Sequence, residues 1–306
     1  MSEVQSGLEG VVAFATEIAE PDRAGGSLRY RGVDIEELVG QVPFGQVWGL
    51  LVDGTFLPGL LPAVPYPLQV RSGDPRVDVQ SALAMLAPEW GLGQLIDISD
   101  EQARDELARA SVMALSFVAQ SARGIGHRPI PQSAVDEGRT TAERFLIRWR
   151  GEVDPRHAKA IDAYWISAAE HGMNASTFTA RIVTSTGADC AAALSAAVGA
   201  LSGPLHGGAP SRVLQMIEGV ERSGDAERWV KEALDRGERL MGFGHRAYRA
   251  EDPRARVLRR TASELGSPRY EVAEALEQAA LAELKARKPD RVLATNVEFW
   301  SAIVLD

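Results

Sequence analysis

Only five histidines occur in this chain of 306 residues, His127, His157, His171, His206 and His245, and only two asparagines, Asn174 and Asn296. Three of the histidines and both asparagines fall in four short peptides: AAEHGMNASTF, GPLHGGAPSR, MGFGHRAYRAEDPRAR and ATNVEFW. In the second, His206 follows a helix breaker and precedes two glycines and Pro210, a proline placed for the first turn of a helix. The free N–H groups of that helix face the same region. Such a positive end disfavours a second positive charge nearby, so His206 is expected to stay neutral. A neutral imidazole can donate one hydrogen bond to a carbonyl oxygen that becomes negative. Simple capping of the helix is the competing reading of the same spacing.

The third peptide repeats this logic with more charge. Gly242 and Gly244 make a flexible turn with His245 at its tip. Asp252-Pro253 reads as a helix start, which puts Arg254 in the first turn. An arginine there opposes the helix dipole, a misfit expected where the guanidinium answers an anion. Its fork suits a carboxylate or a phosphate. Six arginines and two acids lie between Arg246 and Arg260, although the whole chain has 33 Lys+Arg against 42 Asp+Glu. Arg246 and Arg254 read as functional, Arg259 and Arg260 as a solvated basic face. In the fourth peptide, Glu298 sits between apolar neighbours beside Asn296. A carboxylate so placed can have a raised pKa and act as a base, unless the glutamate simply faces solvent. His171, between Glu170 and Ser176-Thr177, is expected at the end of a long helix, where a histidine is commonly structural.

The elements that must position these residues are mostly helices. Extended pieces are expected only in about the first forty residues, in EGVVAFATEIAE and SLRYRG around the turn PDRAGG. DEQARDELARASVMALSFVAQSA keeps one apolar face, and PRHAKAIDAYWISAAEHG is read as a helix stopped by Gly172. ADCAAALSAAVGAL is apolar almost all round and is expected to be a buried helix ended by Ser202-Gly203-Pro204. Four further helical segments follow at short intervals, and the class is mainly α. LPGLLPAVPYPLQV reads as a Pro-rich connector and RGIGHRPIPQ as a second irregular loop.

A net charge of −9 argues against general affinity for nucleic acid or anionic lipid, so an anion must be met by a local patch. The arginine cluster also lacks the interleaved aromatics of a nucleic-acid surface. A zinc site on His171, His206 and His245 is disfavoured, because no spacing is a short helical pair. Cys190 is the single cysteine, read as a small buried hydrophobe, and its isolation fits a reducing compartment. The start, MSEVQSGLEG, lacks the pattern of a secretion signal, and no apolar run reaches membrane-spanning length. A cytoplasmic protein without membrane attachment is expected.

Taken together, LEGVVAFATEIAEPDRAGGSLRYRGVDIEEL, HGMNASTFTAR, ALSGPLHGGAPSRVL, MGFGHRAYRAEDPRAR and NVEFW resemble segments of the citrate synthase family, in the family's order. The resemblance is strong over Leu8 to Leu38 and Ile161 to Asp306. AEHGMNASTF with NVEFW resembles a divergent branch, often a second citrate synthase beside the principal one. The resemblance implies a two-domain helical fold with a few short N-terminal strands. Residues 1–206 would form the large domain, and residues 207–306 a small domain carrying the CoA loop and the catalytic carboxylate. It implies condensation of acetyl-CoA with oxaloacetate, then thioester hydrolysis to citrate and CoA. By the same resemblance, His206 donates to the thioester carbonyl as it enolises and His245 polarises the oxaloacetate ketone. His171 helps to hold oxaloacetate, and Arg254 pairs with its carboxylate. Glu298 stands where most members have aspartate, the base that takes a methyl proton. The loop of Met241, Gly242, Phe243, Gly244, Arg246 and Arg249 meets CoA. No metal and no permanently bound cofactor are implied, and a homodimer is.

Two alternatives accompany this reading: a 2-methylcitrate synthase using propionyl-CoA, and a ligand-binding paralogue with impaired catalysis. The second is motivated by the extra methylene of Glu298 and by EFWSAIVLD, which stops amid an apolar run where the family continues with further carboxylate-binding arginines. A fragment or a reduced protein is the corresponding expectation. The chemistry itself is demanding. A thioester methyl is a very weak carbon acid, so a base and an oxyanion donor must act on it together. Water must also be kept out until the carbon–carbon bond has formed.

Overall fold

The structure, a computed structural model, describes residues 14–22, 26–172, 174–203, 206–207, 210–244, 251–291 and 293–306. His245, Arg246 and Arg249 lie outside the described residues. Near the N-terminus, β1 (Ala19–Pro21), β2 (Leu28–Tyr30) and β3 (Val33–Asp34) form an antiparallel sheet in the order β1-β2-β3. Tyr30 opposes Ala19 on one side and Val33 on the other. The rest is helical, as the apolar periodicity requires: α1 (Ile35–Leu38), α2 (Phe44–Asp53), α3 (Pro75–Trp90), α4 (Asp100–Arg123), α5 (Gln132–Val135), α6 (Thr141–Arg150) and α7 (Pro155–Ala168). Then come α8 (Ala175–Thr184), α9 (Cys190–Leu201), α10 (Pro210–Ser223), α11 (Ala226–Asp235), α12 (Pro253–Glu264), α13 (Tyr270–Arg287) and α14 (Val297–Leu305). Aspartates start many of them: Asp74, Asp154, Asp189, Asp225 and Asp252 each accept from a backbone N–H of the first turn.

One hydrophobic cluster joins Leu28, Tyr30 and Ile35 to Ile166 of α7 and to Val257, Phe299 and Trp300 of the C-terminal helices. It thus spans the boundary expected after His206. A second cluster lies between α3, α4 and the start of α9, and a third between α6 and α7. Trp300 is fully buried and its indole N–H donates to Glu277 Oε1 at 2.9 Å. That bond satisfies the one polar atom of the largest side chain in the core.

Two helices differ from the sequence expectation. α7 ends at Ala168, before His171. The Tyr30 hydroxyl donates to the carbonyls of Ile166 and Ser167, at 2.7 and 3.3 Å, and so replaces part of the next helical turn. His171 therefore stands in the link between α7 and α8 rather than on a helix. α9, expected to be buried, has only Cys190, Ala191 and Ala193 in the core. Its apolar composition serves one internal face and leaves another open, with Leu201 at 46% exposure.

Asp162 of α7 accepts from the Phe44 N–H at 2.9 Å, the first backbone donor of α2. Burial pushes its pKa up to about 6, against the opposing effect of that hydrogen bond. A carboxylate with a raised pKa gives stability below its unfolded value, and that stability is lost as pH rises through the folded value. Asp162→Asn keeps an oxygen for the Phe44 N–H and has no charge to bury. The variant should be more stable than the wild type by roughly 1–3 kcal/mol at pH 8. The advantage should shrink on acidification through about pH 6 and be gone near pH 4. Melting curves across that range check it.

Candidate active site

α7 packs against both α12 and α14, and α12 packs against α14. Their meeting point brings Tyr164 (α7), Arg254 (α12) and Glu298 (α14) into one electrostatic neighbourhood, since Tyr164 responds to the charges of the other two. The segment MGFG is tied to the peptide before α14. Gly244 N–H donates to Ala294 O at 2.7 Å, Asn296 N–H to Gly242 O at 2.9 Å, and the Asn296 side chain to Gly244 O at 2.8 Å. Phe243 and Thr295 form an isolated antiparallel bridge. The asparagine singled out by its rarity is thus a clasp. Its Oδ1 also accepts from Glu298 N–H at 3.0 Å, capping α14 and fixing where the glutamate leaves the backbone. Gly242 and Gly244 both have φ of 86°, in the left-handed region. A Cβ at Gly242 would stand 2.8 Å from Cβ of Phe299, so the turn lies directly on the helix that carries Glu298.

Glu298 is half-buried, not solvent-facing. Burial raises its pKa, while Arg254 and Arg239 pull it down and Asp252 adds a smaller upward push. His206 is also half-buried. Burial lowers its pKa, and the Arg254 charge lowers it further. The ring is therefore neutral at neutral pH, as the sequence predicts. Its Nε2 lies 3.0 Å from Ser176 Oγ. The Ser176 hydroxyl also lies 2.8 Å from Asn174 Oδ1, which accepts as well from Thr177 N–H at 2.8 Å. Oδ1 of Asn174 can only accept, so the Ser176 hydroxyl donates to it and its oxygen accepts from His206 Nε2–H. Rotation of that hydroxyl toward Nε2 would move the ring hydrogen to Nδ1. His171 stands close by in the chain, its backbone N–H donating to Glu170 Oε1 at 2.8 Å. Glu170, whose pKa is raised by burial, is held as well by the Thr177 hydroxyl at 2.6 Å. Rarity in the sequence marks Asn174 and Asn296 as candidates but not their roles as cap and clasp. Tyr164 was missed, its one signal being a hydroxyl within the apolar run AYWI.

The anion that Arg254 answers in this structure is Asp252. Nε and one NH2 of the guanidinium meet its two oxygens at 2.9 and 2.8 Å, and both residues are almost fully buried. Asp252 also caps α12 and accepts from Val297 N–H at 3.0 Å, locking α12 to α14. Arg259 and Arg260, expected to face solvent as a basic surface, do reach solvent, with side chains 37% and 46% exposed, and they also carry ion pairs there. Arg259 meets Glu274 at 2.5 Å and Glu277 at 3.5 Å, and Arg260 meets Glu36 at 3.5 Å. The acids that balance this basic stretch are in part local, Asp252, Glu251 and Glu264, and in part distant, Glu36, Glu274 and Glu277. Removal of Arg254 strands the buried Asp252 charge, a loss of about 3–5 kcal/mol. Arg254→Ala should therefore lower the melting temperature clearly, and Asp252→Asn combined with Arg254→Ala should recover part of it. A thermal melt of the three variants checks this.

Among the described residues, no cluster of three or more His, Cys, Asp or Glu is placed to hold a metal ion, and no helix is long and apolar enough to cross a membrane. A carboxylate with an elevated pKa and an imidazole with a lowered one stand on a helical scaffold. The chain matches the family model "Citrate synthase, C-terminal domain" over residues 7–306. It is 70% identical over 301 residues to the Mycobacterium tuberculosis protein named "Putative citrate synthase 2", covering 98% of this chain and 81% of that one. It is 35% identical over 327 residues to citrate synthase of Haloferax volcanii, covering 98% of this chain and 84% of the relative. The fold superposes with a TM-score of 0.82, at 24% identity, on Thermoplasma acidophilum citrate synthase in a ternary complex with carboxymethyl coenzyme A and oxaloacetate, covering 99% of this chain and 84% of that one. The chain belongs to the citrate synthase family, and it is an enzyme of acyl transfer.

Proposed function

We propose that the chain condenses acetyl-CoA with oxaloacetate and hydrolyses the product thioester to citrate and CoA. What supports this reading is that Glu298, its pKa raised by burial, and His206, its pKa lowered by burial, both feel the charge of the same buried Arg254. Glu298 takes a proton from the acyl carbon while the neutral ring of His206 donates a hydrogen bond to the thioester oxygen. The enolate carbon attacks the oxaloacetate ketone, polarised by His245. His171 and Arg254 hold the oxaloacetate carboxylates, Arg254 through the edge of the guanidinium away from Asp252. The turn Met241, Gly242, Phe243, Gly244, with Arg246 and Arg249, receives CoA. Water then attacks the thioester carbonyl and CoA leaves as the thiol.

Residues 207–306 act as the smaller domain that closes over the rest and excludes water until the carbon–carbon bond exists. A homodimer through α8 and α9 fits their open apolar faces, where Ile182 is 51% and Leu201 46% exposed. The reading places the enzyme in the cytoplasm, with no resident cofactor. CoA release with oxaloacetate and either acetyl-CoA or propionyl-CoA tests it. Faster release from acetyl-CoA is expected. Faster release from propionyl-CoA would reassign the enzyme to 2-methylcitrate synthesis, and binding without release from either would mark a non-catalytic relative.

A further inference from the structure

Some buried or half-buried arginines of this acidic chain have a carboxylate partner, as Arg104 has Asp53 and Arg254 has Asp252. In one region several arginines without such a partner stand together. A narrow cleft, lined largely by apolar side chains, lies between the connector at Leu61–Ala63, α4, α5 and α6, and Arg144, Arg148, Gln132 and Thr141 supply its polar wall. A second cleft of about 290 Å³ adjoins it under the loop after α4, lined by Arg71, Arg123 and His127. Arg148 is a wall of both. Arg148 is only 9% exposed, and its guanidinium donates to Gln132 Oε1 at 2.7 Å, a neutral acceptor. Nε of Arg144 is buried and has no hydrogen-bond partner. Arg123 spends its N–H groups on the carbonyls of Arg128 and Trp149, at 2.7 and 2.9 Å.

None of Arg71, Arg123, Arg144 and Arg148 forms an ion pair with a described carboxylate. Two acids are in the surroundings. Asp136 accepts from Gln132 Nε2 at 2.7 Å and acts on Arg148 only through space. Asp78 is held by Ser72 and Ser121 and feels Arg71 in the same way. A buried guanidinium that lacks both a counter-charge and its hydrogen bonds is costly, by several kcal/mol for a desolvated ion. An unpaired buried donor on Arg144 and a desolvated cation at Arg148, two residues that line the same cleft, form an environment that an oxyanion could complete.

We propose that these adjoining clefts are an anion site, outside the catalytic centre, that takes a phosphate group between Arg144 and Arg148, with Arg71, Arg123 and His127 flanking it. The guanidinium fork matches the spacing of phosphate oxygens, and the doubly charged anion supplies what Asp78 and Asp136 are too far away to give. The site is independent of the acyl-transfer chemistry, so it can be tested without turnover.

The experiment is calorimetric titration and thermal melting of the full chain with inorganic phosphate, against chloride at equal ionic strength. The wild type should bind phosphate and melt at a higher temperature in its presence. Arg144→Gln and Arg148→Met should each weaken binding by at least about tenfold, which is ~1.4 kcal/mol. In phosphate-free buffer Arg148→Met should melt no lower than the wild type, because a buried unpaired charge has gone. Should Arg148→Met fail to fold, Arg144→Gln carries the test alone. A nucleoside triphosphate titrated in parallel tells a phosphate ester from the free ion, and both must lose affinity in the same variants. Phosphate without effect on the wild type, or an effect retained in Arg144→Gln and Arg148→Met, overturns the proposal. So does an effect lost in Arg254→Gln alone, which would place the anion in the catalytic site.

Discussion

Glu298→Gln should slow CoA release from acetyl-CoA and oxaloacetate by about 10²- to 10⁴-fold, the usual contribution of a positioned general base. The fold should survive unchanged. The cap of α14 is the bond from Glu298 N–H to Asn296 Oδ1, which does not involve the side chain that is altered. The glutamine is also neutral, so the burial that raises the wild-type pKa no longer acts against folding. The loss should fall on kcat, with oxaloacetate binding close to normal. Glu298→Asp is the informative partner variant. It restores the family's usual residue but withdraws the oxygens by one methylene from a site whose turn is pressed against Phe299. A displacement of about 1 Å can cost about 100-fold. A slow aspartate variant therefore shows that the backbone around Gly242 and Asn296 is set for the longer acid.

His206→Ala should reduce turnover by about 10²- to 10³-fold, the range seen when one oxyanion donor is removed. Its turn is held by backbone bonds, His206 N–H to Gly203 O and Gly207 N–H to Leu201 O, both 2.9 Å, so the variant keeps its fold. The effect should be confined to the chemical step. A thiol assay is suited to measuring it, because the single cysteine, Cys190, is buried with its thiol pushed up to about 11 and will not compete with released CoA. Unchanged turnover in this variant would remove His206 from the mechanism.

The helices were legible wherever an apolar face and a cap coincided, as at Asp252-Pro253 and at the long amphipathic α4. The end of α7 was not, because it is set by Tyr30, which is distant in the chain and bonds the carbonyls of Ile166 and Ser167. The misfit of Arg254 at the start of α12 was visible, and its partner Asp252 stands two residues before it, but the distant partners of Arg259 and Arg260 were not visible. Glu36 lies in α1 and Glu274 in α13, and local charge patterning cannot reveal acids that reach the cluster through tertiary packing. The open face of α9 escaped for a related reason, since composition reports how apolar a helix is and not which neighbour covers it. In the site, residue type and rarity pointed to His206, Glu298 and Arg254. The environments that give them their chemistry depend on three helices meeting, which no spacing rule contains.

The most direct test of the joint action of Glu298 and His206 is the pH dependence of kcat/KM for CoA release in the wild type and in Glu298→Gln. Since Glu298 must be ionised to act as base and its burial raises its pKa, the wild-type rate should fall on acidification at a pH above the ordinary glutamate range. That acid limb should vanish in Glu298→Gln along with most of the rate. A variant that keeps near-normal turnover, or retains the same acid limb, would contradict the assignment.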